Sequence, residues 1–191
     1  MSTLGYAVLG LLAERPHTGY ELAKRMERPI GYMWTAQHSQ IYPELATLQS
    51  AGLVRHRVVD GRGPRDTKKY SITASGRAAL DAWTDSPLPR QPARSELMLR
   101  VRTFWLISPQ RAADFIRGVR LNHESRLATY LEEDHAFTKE RADVDNPASA
   151  DFAAYATLRA GIGYEQQLLA WCDWLLERLT VTASADSAPN A

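Results

Sequence analysis

The chain has 191 residues, 45% of them apolar and 24% charged, the proportions of one folded domain or two small ones rather than of a disordered chain. Its single cysteine, Cys172, excludes a disulfide framework or a cysteine metal cluster within one chain, and no run of about 18 apolar residues is present to span a membrane. The net charge of +1 hides an asymmetry: residues 1–83 hold 11 Lys and Arg against 7 Asp and Glu, and residues 84–191 hold 12 against 15. A basic front half suits an anionic partner such as DNA. The opening apolar run has no basic residue before it, so no secretory leader is expected, and a reducing cytoplasm is the expected compartment.

In chain order, Ser2 or Thr3 caps a first helix whose apolar positions are Tyr6, Val8, Leu9 and Leu12, closed by Pro16. Thr18 caps a second helix over 19–26, with Glu21 placed to complete a capping box. Pro29 and Gly31 break the chain. A third helix starts near His38 or Ser39, carries Ile41, Leu45 and Leu48, and ends at Gly52, a good residue for the left-handed position after a helix. The period then changes. Residues 53–59 read as a β-branched, basic strand, Asp60-Gly61-Arg62-Gly63-Pro64 as a turn, and Lys68-Lys69-Tyr70-Ser71-Ile72 as the returning strand of a hairpin. Thr73 caps a fourth helix over 74–84 with Leu80 and Trp83 on one face.

Residues 85–94 hold three prolines, which predicts a linker between a domain at 1–84 and a second at 95–180. In the second, Ser95 caps a helix with Leu97, Val101, Phe104 and Trp105 on one stripe. A long helix follows from Pro109 to about Ala142, with Ala112, Ile116, Val119, His123, Leu127, Tyr130 and Phe137 aligned. A last helix runs from about Ala148 to Leu179, and residues 181–191 read as a disordered tail. The last helix has two apolar stripes. Tyr155, Leu158, Ile162, Leu169, Cys172, Leu176 and Leu179 form one, and Tyr164, Leu168, Trp171 and Leu175 the other. Two faces need two partners, and a second copy of the chain is the simplest source of the second.

The fold class is therefore mainly α with a small β-hairpin: an N-terminal winged helix-turn-helix and a C-terminal long-helix dimerisation domain. In such a fold the third helix enters the major groove. Gln37, His38, Ser39 and Gln40 stand at its start with hydrogen-bonding groups for base edges. Arg62, Arg65, Lys68 and Lys69 on the hairpin suit phosphate, which fixes register without reading sequence.

Residues 4–83 resemble the PadR family of bacterial transcriptional regulators. The resemblance rests on Tyr6-Ala7-Val8-Leu9-Gly10-Leu11-Leu12, on Thr18-Gly19-Tyr20-Glu21-Leu22, and on Trp34 followed by His38-Ser39-Gln40-Ile41-Tyr42-Pro43-Glu44-Leu45. Leu48, Gly52-Leu53-Val54, Tyr70-Ser71-Ile72-Thr73, Gly76-Arg77 and Leu80 complete it. Leu97 to Phe104, Arg159-Ala160-Gly161-Ile162-Gly163-Tyr164-Glu165 and Trp174-Leu175 resemble the helical dimerisation domain of its virulence-activator subgroup. Ser39 departs from a common glycine and Gln49 from a common glutamate. The resemblance implies a homodimer on a two-fold symmetric operator, usually a repressor, often released by a small aromatic or amphipathic effector. It implies that Tyr20 touches phosphate, that Ser39, Gln40 and Tyr42 sit at the groove, and that the wing supplies basic side chains.

Other readings compete. Trp105, Tyr164, Trp171 and Trp174 suit either an aromatic ligand pocket or core and dimer interface. His17 and His56 read as surface residues, Cys172 as a small buried hydrophobe. No nucleophile elbow, phosphate-binding loop or dinucleotide fingerprint occurs, so neither an enzyme nor a cofactor is expected. A helical protein-interaction adaptor whose winged helix does not bind DNA is the alternative; the basic wing and polar helix start argue against it.

Overall fold

The computed structural model describes residues 1–27, 38–59, 67–89, 95–140 and 143–185. The chain divides into two compact units, Met1–Pro89 and Arg90–Ala191.

In the N-terminal unit, α1 (Thr3–Glu14) is capped by Ser2, whose Oγ accepts the Gly5 N–H at 2.9 Å. The helix α2 (Gly19–Glu27) opens with a reciprocal box. The Glu21 N–H donates to Thr18 Oγ1 at 3.1 Å, and the Thr18 N–H donates to Glu21 Oε2 at 2.7 Å. The helix α3 (His38–Ser50) sends Ile41, Leu45 and Leu48 into the core against Val8, Leu9, Leu12, Leu22 and Met26. It ends in a Schellman turn: Gly52 N–H bonds the Gln49 carbonyl, Leu53 N–H bonds that of Leu48, and Gly52 takes φ +72°. Pro43 lacks an N–H, so the Ser39 carbonyl loses its helical partner at an exposed position.

The expected hairpin is β2 (Val54–Val59) and β3 (Thr67–Ile72), antiparallel with Val54 opposite Ile72 and Arg57 opposite Lys69. It gains a third strand that the sequence reading did not foresee. The strand β1 (His17–Thr18) pairs with the other edge of β3, His17 opposite Tyr70 and Thr18 opposite Lys69. Alternation along the strands puts Val54, Tyr70, Ile72 and His17 on the core face. His17 is thus buried, not a surface residue, because the strand pairing turns its ring inward. His56 is half-buried, its Nδ1 2.7 Å from Gln49 Oε1.

The helix α4 (Ala74–Thr84) starts at Thr73, whose Oγ1 accepts the Gly76 N–H and donates to the Gly52 carbonyl. Gly76 is required here, since a Cβ would lie 2.2 Å from the Leu53 carbonyl oxygen. Tyr6 of α1 and Trp83 of α4 stack at 4.5 Å between ring centroids.

In the C-terminal unit, α5 (Glu96–Val101) is capped by Ser95 and is shorter than its apolar stripe suggests. Phe104 and Trp105 fall outside it, in a 3-10 turn over Phe104–Leu106. The helices α6 (Pro109–Glu140) and α7 (Ala150–Ala185) run antiparallel. Arg120 pairs with Asp173, His123 with Glu165 and Phe137 with Tyr155 along their length. Ala112, Ile116 and Tyr130 of α6 and Leu158, Ile162 and Cys172 of α7 are the buried residues of this pair. The last helix continues through residues 181–185, part of the segment expected as tail. Residues 186–191, the predicted linker positions 90–94 and residues 141–142 at the expected end of the long helix lie outside the described residues. Among the described residues no helix is long and apolar enough to cross a membrane.

Candidate nucleic-acid interface

The groups at the front of α2, the start of α3 and the outer face of the sheet adjoin one another. On α3 the core takes Ile41, Leu45 and Leu48, which leaves Ser39, Gln40 and Tyr42 on the exposed side. Tyr42 is 53% exposed and Tyr20, in the first turn of α2, is 64% exposed. Large aromatics this open on a helix that otherwise packs well are the kind of surface that a partner covers. The phenol of Tyr42 lies across Gly19, close enough that a Cβ there would meet its Cε1 at 2.6 Å and its Oη at 3.2 Å. Gly19 follows Thr18, Thr18 is opposite Lys69, and Lys69 is opposite Arg57. The two tyrosines therefore run into a basic sheet face without a gap.

That face holds Arg55 and Arg57 as well as Lys69, because residues of the same parity share one side of a strand. Arg57 and Lys69 stand directly across from each other, a like-charge pairing that costs stability unless an anion lies over it. Lys68 points to the opposite side of β3 from Lys69, at the exposed end of the hairpin. The sequence reading missed Arg55 and Arg57. The period-2 pattern Val54-Arg55-His56-Arg57 was the signal that should have singled them out. Gln37, Arg62 and Arg65 lie outside the described residues, and His38 is described only as the opening residue of α3.

Local electrostatics bear on the same corner. The Thr18 backbone N–H, and less strongly its hydroxyl, His17 and Lys69, hold the Glu21 carboxyl below the usual carboxylate range against the opposing pull of burial. Burial, with Tyr42 nearby, pushes the Tyr70 phenol up. Beneath them His17 is only 2% exposed. Burial first, then Arg25 and Arg15, holds its imidazole below the usual histidine range.

The four aromatics singled out in the C-terminal half are mostly open to solvent. Trp105 is 77% exposed, Tyr164 60% and Trp174 48%, while Trp171 is half-buried. Arg178 stacks over Trp174 at 4.3 Å. A shallow groove of about 290 Å³ on this unit is lined by residues including Arg100, Phe115, Asn122, His123 and Arg126. Cys172 is fully buried and its thiol is pushed up by that burial.

Three helices, a sheet with a basic outer face and a long-helix second unit define a winged helix-turn-helix regulator. Residues 8–82 match the PadR-like family of transcriptional regulators and residues 93–180 match the virulence activator alpha C-terminal family. The probable transcriptional regulator Rv1176c of Mycobacterium tuberculosis is 34% identical over 189 residues, spanning 92% of this chain and 97% of that protein. The negative transcriptional regulator PadR of Bacillus subtilis is 29% identical over 178 residues, with 92% and 97% covered. Its crystal structure with operator DNA superposes at a TM-score of 0.84, with 27% identity over 93% of this chain and 99% of that one. Its complex with p-coumaric acid gives 0.79, also at 27% identity, over 94% and 99%. The chain belongs to the PadR-like family of transcriptional regulators.

Proposed function

We propose that this protein is a cytoplasmic repressor that binds a two-fold symmetric operator as a homodimer and lets go when a small amphipathic effector binds. One surface carries the reading: exposed Tyr20 and Tyr42 continuous with Lys69 and Arg57, beside the polar start of α3. Ser39 and Gln40, with Gln37 and His38, face base edges in the major groove, where glutamine can engage adenine through two hydrogen bonds. Tyr20 and Tyr42 donate to phosphate. Lys69 and Arg57 neutralise the backbone, joined by Lys68 from the exposed end of the hairpin and by Arg62 and Arg65 of the segment between its strands. The C-terminal helices of two chains set the spacing of the recognition helices at about 34–36 Å, one turn of DNA.

Homology supports both ends of the switch. The Bacillus subtilis relative is a negative regulator, seen once with operator DNA and once with p-coumaric acid. An effector acts by binding better to a dimer geometry in which the helix spacing no longer fits.

The test is fluorescence anisotropy of a labelled duplex from upstream of the protein's own coding sequence, against a scrambled duplex, at several salt concentrations. Tight binding that prefers the native duplex and is reversed by p-coumarate is expected. Arg57→Ala should weaken binding to both duplexes and reduce the slope of log K against log salt by about 1. An unchanged slope removes Arg57 from the interface. Absence of binding at low salt, from protein freed of any co-purified ligand, refutes the DNA reading and favours the adaptor.

A further inference from the structure

We propose that Gly19 is a positioning residue for DNA binding: its missing side chain is the seat on which the Tyr42 phenol rests. The inference deepens the reading of Tyr42 as a DNA contact and rests on it. Gly19 is the first residue of α2, after the Thr18 cap. Glycine at a helical position costs backbone entropy relative to alanine. Its conformation does not ask for glycine either, since Gly52 alone among the described glycines has positive φ. Helix formation and backbone geometry would therefore both accept alanine.

Space is what excludes a side chain. A Cβ on Gly19 would lie 2.6 Å from Tyr42 Cε1, 3.0 Å from Cζ and 3.2 Å from Oη. Those atoms are the hydroxyl end of the ring, not its root on α3. The clash is relieved by swinging an exposed phenol outward, with no change to the buried side of α3, where Ile41 and Leu45 pack. A residue that breaks a local preference without helping the fold points to function. Here it fixes the phenol hydroxyl of one helix against the first turn of another, next to exposed Tyr20 and the Thr18–Lys69 pairing. Holding the Tyr42 phenol in one arrangement before DNA arrives removes an ordering cost from binding.

The experiment is a double-mutant cycle on the full chain, reading operator affinity by anisotropy and folding by thermal melting. Gly19→Ala is expected to lower operator affinity about tenfold, comparable to losing one hydrogen bond to a charged group, with a melting temperature unchanged or a few degrees higher. Tyr42→Ala should lower affinity by a similar factor. The double variant should bind no worse than Tyr42→Ala alone, because the seat has no purpose without the ring. Full additivity would overturn the proposal and show that DNA approaches the Gly19 backbone directly. Wild-type affinity in Gly19→Ala beside a loss in Tyr42→Ala would overturn it while leaving the Tyr42 contact intact. Wild-type affinity in Tyr42→Ala would remove the contact itself, and the seat with it.

Discussion

The two units solve the problem of burying apolar surface in opposite ways. The N-terminal unit closes on itself. Leu9, Leu12, Leu22, Ile41, Leu45 and Leu48 come from three helices and are almost wholly shielded, and the sheet lids them with Val54, Tyr70 and Ile72. The C-terminal unit is a single seam between two helices of about 48 and 54 Å. One seam shields one stripe of each helix and leaves Leu121 and Tyr164 open, and Trp105 and Leu106 stand open in the turn before α6. The polar interiors differ too. Among the described residues of the N-terminal unit, the buried polar side chain is His17, whose Nε2 has no hydrogen-bond partner among them. In the C-terminal unit it is the Glu165 carboxylate, 3% exposed, with His123 Nδ1 at 2.5 Å. Among the described residues, the first unit encloses a core drawn from all its layers, while the second encloses a seam between its two long helices.

The sharpest way to test that contrast is to damage each unit in its own currency. Leu45→Ala empties a fully buried site and should cost about 2–5 kcal/mol in urea unfolding. That loss should be the same at every protein concentration. A loss that shrank as the protein was concentrated would mean that the N-terminal core is also shared between chains.

For the C-terminal unit, concentration is the variable. If two copies pair through its open aromatics, its melting temperature falls on dilution while that of the N-terminal unit does not. Trp105→Ala and Tyr164→Ala should each weaken self-association by about 2 kcal/mol, roughly thirtyfold. Sedimentation equilibrium reads the change directly. Association unaffected by either substitution would place the dimer contact elsewhere.

The same contrast governs what could be read from sequence. The N-terminal unit is punctuated by local chemistry: Ser2, the Thr18–Glu21 box, the Gly52 turn and the Thr73 cap each mark a boundary within a few residues, and all four form. The strand β1 escaped because a two-residue strand has no period, and its existence depends on Tyr70, fifty-three residues on. The burial of His17 escaped for the same reason. In the C-terminal unit periodicity found the seam, down to Ile116, Ile162 and Cys172. It did not show that the chain leaves α5 after Val101, since Phe104 and Trp105 keep helical spacing while the backbone turns. Nor does a stripe say whether its cover lies in the same chain, which is why the tryptophans read as core or dimer interface, with a ligand pocket as the competing reading. The site divides likewise. Exposed positions on α3 followed from helical period, whereas the Tyr42–Gly19 contact and the Arg57–Lys69 pairing join segments that only the fold brings together.

The smallest expected effect belongs to the residue that sequence misplaced. His17 is buried on the core face of β1 among Arg15, Arg25, Glu21 and Lys69, and burial, then Arg25 and Arg15, holds its imidazole below the ordinary histidine value of about 6.5. The folded protein therefore prefers the neutral ring. Its contribution to stability is complete above the unfolded-state value and declines as pH falls through it toward the folded-state value, where protonation no longer distinguishes the two states. One group changes stability by at most about 1.4 kcal/mol per pH unit. Between pH 7.5 and 5.5 the N-terminal unit should lose stability in chemical denaturation, and His17→Gln should flatten that part of the profile. A variant with the wild-type slope would assign the acid sensitivity to another group.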